Sequence, residues 1–160
     1  MSKISPCLWF NGQAEDAANF YVSLIENSAI LSVSRYGEGA PFPAGTALVA
    51  EFTLDGQTYQ ALNGGPQYQH SEAFSLSVSC EGQAEADRLW AAITADGGEE
   101  GQCGWCKDRF GVSWQLVPKG LSDLIADPDP GRRNRALQAM FGMRRLDLAA
   151  MRAAADQAQD

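Results

Sequence analysis

Histidine is almost missing from this chain: among 160 residues His70 is the only one. Any general base or activated nucleophile that relies on imidazole has to pass through that position. It lies in the polar segment Gln67-Tyr68-Gln69-His70-Ser71-Glu72, where an exposed loop histidine is the expectation. Long apolar runs are missing too. No stretch approaches the roughly 20 residues needed to cross a bilayer, and Met1-Ser2-Lys3-Ile4-Ser5-Pro6 lacks the hydrophobic region of a signal peptide. The expected setting is the cytoplasm, with no membrane partner. A basic excess is also lacking: the formal net charge of -8 repels phosphate backbones and excludes an electrostatic footprint for nucleic acid. Cysteines number four, Cys7, Cys80, Cys103 and Cys106, and in a reducing compartment they are expected to be thiols.

What is present is an apolar content of 45%, ample for one domain or for two small halves sharing a core. The first half reads as a strand over 4–10, a turn at Asn11-Gly12, and a helix whose apolar positions are Ala14, Ala17, Ala18, Tyr21, Val22 and Ile25. Strands follow over 29–36, 46–54 and 57–63, with Asp55-Gly56 as a hairpin signal between the last two. The second half repeats the order. A strand over 73–80 alternates Phe74, Leu76, Val78 and Cys80 with Ser75, Ser77 and Ser79. A helix then carries Ala84, Ala86, Leu89, Trp90 and Ile93 and stops at Gly97-Gly98. Strands over 102–105 and 112–117 bracket the turn Asp108-Arg109-Phe110-Gly111. Strand, helix, strands, done twice, is an internal duplication of organisation. Beyond Pro118 lie a short helix over 121–126, a break at Asp127-Pro128-Asp129-Pro130-Gly131, and a helix over 132–158. In that last helix Leu137, Met140, Phe141, Leu146, Leu148 and Met151 are candidate contact positions, either for the chain's own core or for a second subunit. The six arginines of the tail, Arg132, Arg133, Arg135, Arg144, Arg145 and Arg152, read as a solvated helix face diluted by Asp127, Asp129, Asp147 and Asp156.

Two motifs invite chemistry. Cys103-Gly104-Trp105-Cys106 has redox or zinc spacing, but it falls among strands and glycine rather than at a helix N-terminus, and a zinc ion would have only Cys7, Cys80 and His70 to complete its shell. It is read as a pair of ordinary thiols. The alternation of 73–80 is the more informative. If Phe74, Leu76 and Val78 pack on the helices, the serines point the other way, and the same parity sends Ser113 and Gln115 with them while Trp114 and Leu116 pack behind. On the first strand, parity puts Cys7 and Trp9 on the corresponding side. These serines line either a pocket or a merely solvated sheet face.

The runs over 8–21 (Leu-Trp-Phe-Asn-Gly-Gln-Ala-Glu-Asp-Ala-Ala-Asn-Phe-Tyr), 61–66 (Ala-Leu-Asn-Gly-Gly-Pro) and 103–115 (Cys-Gly-Trp-Cys-Lys-Asp-Arg-Phe-Gly-Val-Ser-Trp-Gln) resemble the PhnB-like branch of the vicinal oxygen chelate superfamily, which includes glyoxalases, bleomycin-resistance proteins and extradiol dioxygenases. Asp127-Pro128-Asp129 and 139–143 resemble that branch's C-terminal extension, and its members often carry the label 3-demethylubiquinone-9 3-methyltransferase. The resemblance implies an α+β fold: paired βαβββ modules, about 1–66 and about 72–119, forming a curved-sheet cup within 1–119, then a helical extension over 120–160. It also implies a homodimer. Its metal-using members have four ligand slots, which fall here at Ser5 or Pro6, at Ala61 or Asn63, near Ala73, and at Gln115, where a Glu is usual. Neutral amides are poor anchors for a divalent ion without His or carboxylate company. The expectation is therefore no metal and no cofactor, with a small organic molecule held by Trp9, Asn63, Ser75, Ser77, Trp105 and Gln115. The alternatives are a metal-dependent lyase, isomerase or dioxygenase using ligands such as Glu51 and His70, and a sequestering protein of the resistance type; whether a reaction is catalysed stays open. The methyl-transfer label is not adopted, because the first half has no Gly-rich strand-to-helix turn to cradle an adenosyl group.

Overall fold

The structure, a computed structural model, describes residues 2–157. Two compact units divide the chain, one ending at His70 and the other beginning at Ser71. The first contains β1 (Cys7–Phe10), α1 (Ala14–Leu24), β2 (Ala29–Arg35), β3 (Ala47–Leu54) and β4 (Gln57–Asn63). The second opens with β5 (Ser75–Cys80), α2 (Gln83–Thr94), β6 (Glu99–Glu100), β7 (Trp105–Lys107) and β8 (Ser113–Pro118). Each is a βαβββ module with one four-stranded sheet, ordered β1-β4-β3-β2 in the first and β5-β8-β7-β6 in the second. In both, the first strand runs parallel to the fourth, and the remaining pairs are antiparallel.

Local chemistry explains the elements. Asp55 and Gly56 hold positive φ of 48° and 80°, which closes the β3–β4 hairpin as a two-residue turn with both residues left-handed. The register across it pairs Leu54 with Gln57. α1 buries Ala14, Ala17, Ala18, Tyr21 and Leu24, and its small residues let it lie close against β3 and β4. α2 does the same with Ala86, Leu89, Trp90 and Ile93. Behind it β8 sends in Trp114 and Leu116, 1% and 2% exposed.

Four expectations about the fold need correction. The first strand begins at Cys7 rather than Ile4, because Pro6 has no N–H to give to a ladder, although its carbonyl still accepts from Gln60 N at 2.9 Å. The strand expected over 102–105 is mostly a turn. Cys103 and Gly104 have φ of 54° and 85°, so the chain reverses there and only Trp105 onward is extended.

The short helix expected over 121–126 is α3 (Leu121–Ile125), but the helix expected over 132–158 is two, α4 (Pro130–Phe141) and α5 (Leu148–Asp156), while Ala158 lies outside the described residues. α4 starts where Asp129 Oδ1 accepts from Gly131 N and Arg132 N, with Pro130 in the first turn. α5 starts afresh on Asp147, whose carboxylate accepts from Ala150 N at 3.1 Å. Leu146, Leu148 and Met151 join Leu121, Leu124, Ala136 and Ala155 in a core of their own, with Met140 and Met143 packed against it.

Nor are the tail arginines merely solvated. Arg132 spans Asp127 and Asp156, and Arg135 caps α5 through Ala155 O. Arg144 reaches Glu100 and Arg145 reaches Asp87. Gln83 completes the attachment of the tail to α2, donating to Leu146 O at 2.7 Å and accepting from Leu148 N at 2.9 Å.

Candidate functional site

In the second module, sheet register places the polar residues on the face away from α2 in two rows. Ser75, Ser113, Lys107 and Glu99 form one row across β5, β8, β7 and β6. Ser77, Gln115 and Trp105 form the next. Four of the expected site residues, Ser75, Ser77, Trp105 and Gln115, therefore share one face. Gln115 Nε2 donates to Ser75 Oγ at 3.0 Å, a diagonal bond between the rows. Ser113 is 2% exposed, and its hydroxyl has no hydrogen-bond partner among the described residues. Beside it opens a depression of about 180 Å³ lined by Glu72, Glu99, Glu100, Gly101, Trp105, Cys106, Lys107 and Ser113. Lys107 Nζ meets Glu72 there at 2.5 Å. That pairing holds the Glu72 carboxyl below its usual range and raises the Lys107 ammonium above its own. Parity could have found Lys107, since it stands two residues after Trp105 on the same strand.

The turn that feeds β8 is held from inside. Asp108 is 2% exposed. Its Oδ1 accepts from Phe110 N at 2.9 Å and Val112 N at 3.1 Å, and its Oδ2 from Trp114 Nε1 at 2.9 Å. With its own N–H bonded to Val112 O at 2.9 Å, Asp108 locks the turn and sets which β8 side chains face the depression.

Asn63 is elsewhere. It pairs in register with Phe10, on the side facing α1, and is 1% exposed. Its Oδ1 accepts from Gly12 N at 2.8 Å and Ala14 N at 2.9 Å, and its Nδ2 donates to Ala47 O at 2.9 Å. The ligand role expected of Asn63 therefore does not fit: its amide is occupied by the N-terminus of α1. Ala61 has the same parity, so neither alternative for the second metal slot faces away from the helix. Along the part of β4 that pairs with β1, the residues that do are Gln60 and Leu62, partners of Cys7 and Trp9.

Trp9 is half-buried, its indole Nε1 donating to Gly65 O at 2.9 Å and its ring set edge-on to Tyr68. Its six-membered ring lies over Gly64, where an added Cβ would come within 2.3 Å of it. His70, expected to be exposed, is half-buried instead. Its ring packs at a tilt on Phe10, and Nε2 lies 2.7 Å from Trp9 O. A carbonyl can only accept, so the proton sits on Nε2. Trp9 and His70 thus tie the segment after β4 to β1.

The residues do not suit a metal ion. Glu51 lies within hydrogen-bond reach of the Gln60 amide, at 3.5 Å, and His70 is engaged by Trp9 O. Among the described residues no group of three or more His, Cys, Asp or Glu gathers as a metal centre requires. Cys103 and Cys106 stand in different settings, one in the left-handed turn with Sγ near Met140 O, the other on β7 opposite Trp114. Burial, with help from Asp108 and Glu100, pushes the Cys106 thiol up to about 12, the reverse of a reactive thiolate. No helix among the described residues is long and apolar enough to cross a membrane.

Duplicated βαβββ modules, the second with hydroxyls, an amide and the charged Lys107 and Glu99 on its helix-free face, define an α+β protein extended by C-terminal helices. The chain belongs to the family described as 3-demethylubiquinone-9 3-methyltransferase, whose model matches residues 2–117, and with it to the PhnB-like branch. A PhnB protein from Bacillus cereus is 37% identical, with a TM-score of 0.68, covering 72% of this chain and 98% of that one. A protein from Pseudomonas aeruginosa is 26% identical, with a TM-score of 0.59, over 74% of this chain and 97% of that one. A gene product of Arabidopsis thaliana shares the fold at 16% identity and a TM-score of 0.51, over 74% of this chain and 99% of that one. Among curated proteins none matches. Since the family model ends at 117, α3 to α5 lie beyond it.

Proposed function

We propose that this protein binds a small organic molecule on the helix-free face of its second module, and does so without a metal ion. The observation that carries the reading is the Gln115–Ser75 pair. Where the superfamily's metal users place a carboxylate, this chain has a neutral amide whose Nε2 is committed to a serine. Its Oε1 remains able to accept from a guest. Trp105 and Ser77 on the same face supply an apolar wall and a further hydroxyl, the usual makeup of a small-molecule site.

The methyl transfer in the family's description is not part of the proposal. The strand-to-helix connections of the two modules have one glycine each, Gly12 and Gly82, rather than the Gly-rich loop that an adenosyl cofactor packs against. We also propose a homodimer, as the family resemblance implies; a dimer mass in sedimentation equilibrium is expected, and a strict monomer contradicts it.

The test of metal independence is thermal. Zinc, nickel, manganese or iron(II) added to chelator-treated protein is expected to leave the melting temperature unchanged, because a cation that bound only the native state would raise it by mass action. A saturable rise with any one of them contradicts the reading.

A further inference from the structure

The corner of that face occupied by Lys107 and Ser113 has features the Gln115–Ser75 pair does not explain. Ser113 carries a buried hydroxyl with no partner among the described residues, beside a depression of about 180 Å³. That is the room of about six waters at ~30 Å³ each. Leaving such a group unsatisfied is costly unless a guest or solvent completes it. Next to it in register stands Lys107, and next to Lys107 stands Glu99.

The charges around the depression are unequal. Glu100 is met by Arg144 at 3.3 Å and by the Trp90 indole at 3.0 Å. Lys107 is left to face two carboxylates, Glu72 and Glu99. Glu72 reaches it from outside the sheet, with a side chain 65% exposed. An ion pair so open to water is worth little, so a competing anion displaces it cheaply. A bare anion would nevertheless leave both carboxylates uncompensated, while a bare cation would meet the Lys107 ammonium. A molecule with both charges meets neither objection.

Resting on the reading of this face as a small-molecule site, we propose that the Lys107–Ser113 corner takes a small zwitterion. Its carboxylate replaces Glu72 on the Lys107 ammonium and accepts from Ser113 Oγ, and its ammonium meets Glu99 and the released Glu72. Trp105 walls the guest on the side of Gln115. Glu72 is the resident counter-ion that keeps Lys107 paired until the guest arrives.

The test uses the full chain, isotope-labelled, titrated with glycine, β-alanine and 4-aminobutanoate, with propanoate and propylamine as single-charge controls. At least one zwitterion is expected to move the amide signals of Lys107 and Ser113 saturably and to bind about tenfold or more tightly than either control. Ser113→Ala and Lys107→Met are each expected to lose about tenfold or more in that affinity, the size of one hydrogen bond to a charged group. A control that binds as well as the zwitterions, binding that ignores both substitutions, or zwitterions that leave Lys107 and Ser113 unmoved overturns the inference. Neutral fragments run alongside separate the two claims. If they move Gln115 and Ser75 while the zwitterions move nothing, the binding reading stands and the charged corner fails; if nothing moves any residue of this face, both fail.

Discussion

Asn63 at the end of β4 and Gln115 within β8 are both amides, yet one is spent on the fold and the other lies on the helix-free face of its sheet. Strand parity decides it. Asn63 shares the side of Phe10 and gives its carbonyl oxygen to two backbone N–H groups at the start of α1, whereas Gln115 shares the side of Ser77 and Trp105. Asn63→Ala leaves the Ala14 N–H buried and unpaired and the more open Gly12 N–H without its acceptor, so it should cost about 1–3 kcal/mol in chemical denaturation. It should leave binding at the second module unchanged. Gly64→Ala should act through Trp9, whose ring occupies the space a Cβ needs. The indole would have to leave Gly65 O, and a red-shifted tryptophan emission with lowered stability is the expected signature. The thiols divide by burial. Cys80 and Cys106 are pushed up to about 11 and about 12. Iodoacetamide at about pH 8 should therefore leave both unmodified in native protein by mass analysis, since only the thiolate attacks. Rapid labelling of Cys106 would reopen the redox reading.

Among the elements, those written in a local signal were legible in the sequence. β4 was legible over its whole length, Gln57–Asn63, because Asp55-Gly56 and Gly64-Gly65-Pro66 punctuate both ends. The turn at Cys103-Gly104 was not, because its left-handed conformation is supported by tertiary bonds: Cys103 N donates to Met143 O and Gly104 N to Arg144 O, forty residues away in the tail. The break between α4 and α5 did leave a trace, in Gly142 and in Asp147 as a fresh N-cap, but the run of Met and Leu across it keeps a helical spacing that hides it. The attachment of these helices is partly ionic. The Trp90 indole and then Arg144 hold Glu100 below its ordinary 4.5, and at Asp87 partial burial pulls upward but is outweighed by Gln83 and Arg145. Carboxyls lowered in the folded state stabilise it above their unfolded values and lose that contribution as pH falls through the folded ones. The protection of the α5 amides, taken relative to intrinsic exchange at each pH, should accordingly fall between about pH 5 and pH 3, ahead of protection in β8. An equal loss of protection in both would mean the two carboxyls do not hold the tail.

At the scale of the whole molecule, the duplication was plain from the order of elements, and the structure repeats it down to strand order in both sheets. The candidate site was legible only as far as parity carries. Ser75, Ser77, Trp105 and Gln115 fall together because alternation is a property of the strand itself. The vacant hydroxyl of Ser113 and the Lys107–Glu72 pair could not be read ahead of the structure, because they depend on register between strands distant in sequence and on a side chain outside the sheet. The tail's apolar side chains go largely to its own core, leaving Phe141 58% exposed. The central claim is a guest held by Gln115 and its neighbours with no metal between them. Its most direct test is a titration of chelator-treated, isotope-labelled protein with neutral and zwitterionic fragments, followed at the Gln115 side-chain amide and the Trp105 indole N–H. Saturable shifts of both signals with chelator present are predicted; shifts that appear only after a divalent metal is added would contradict the account.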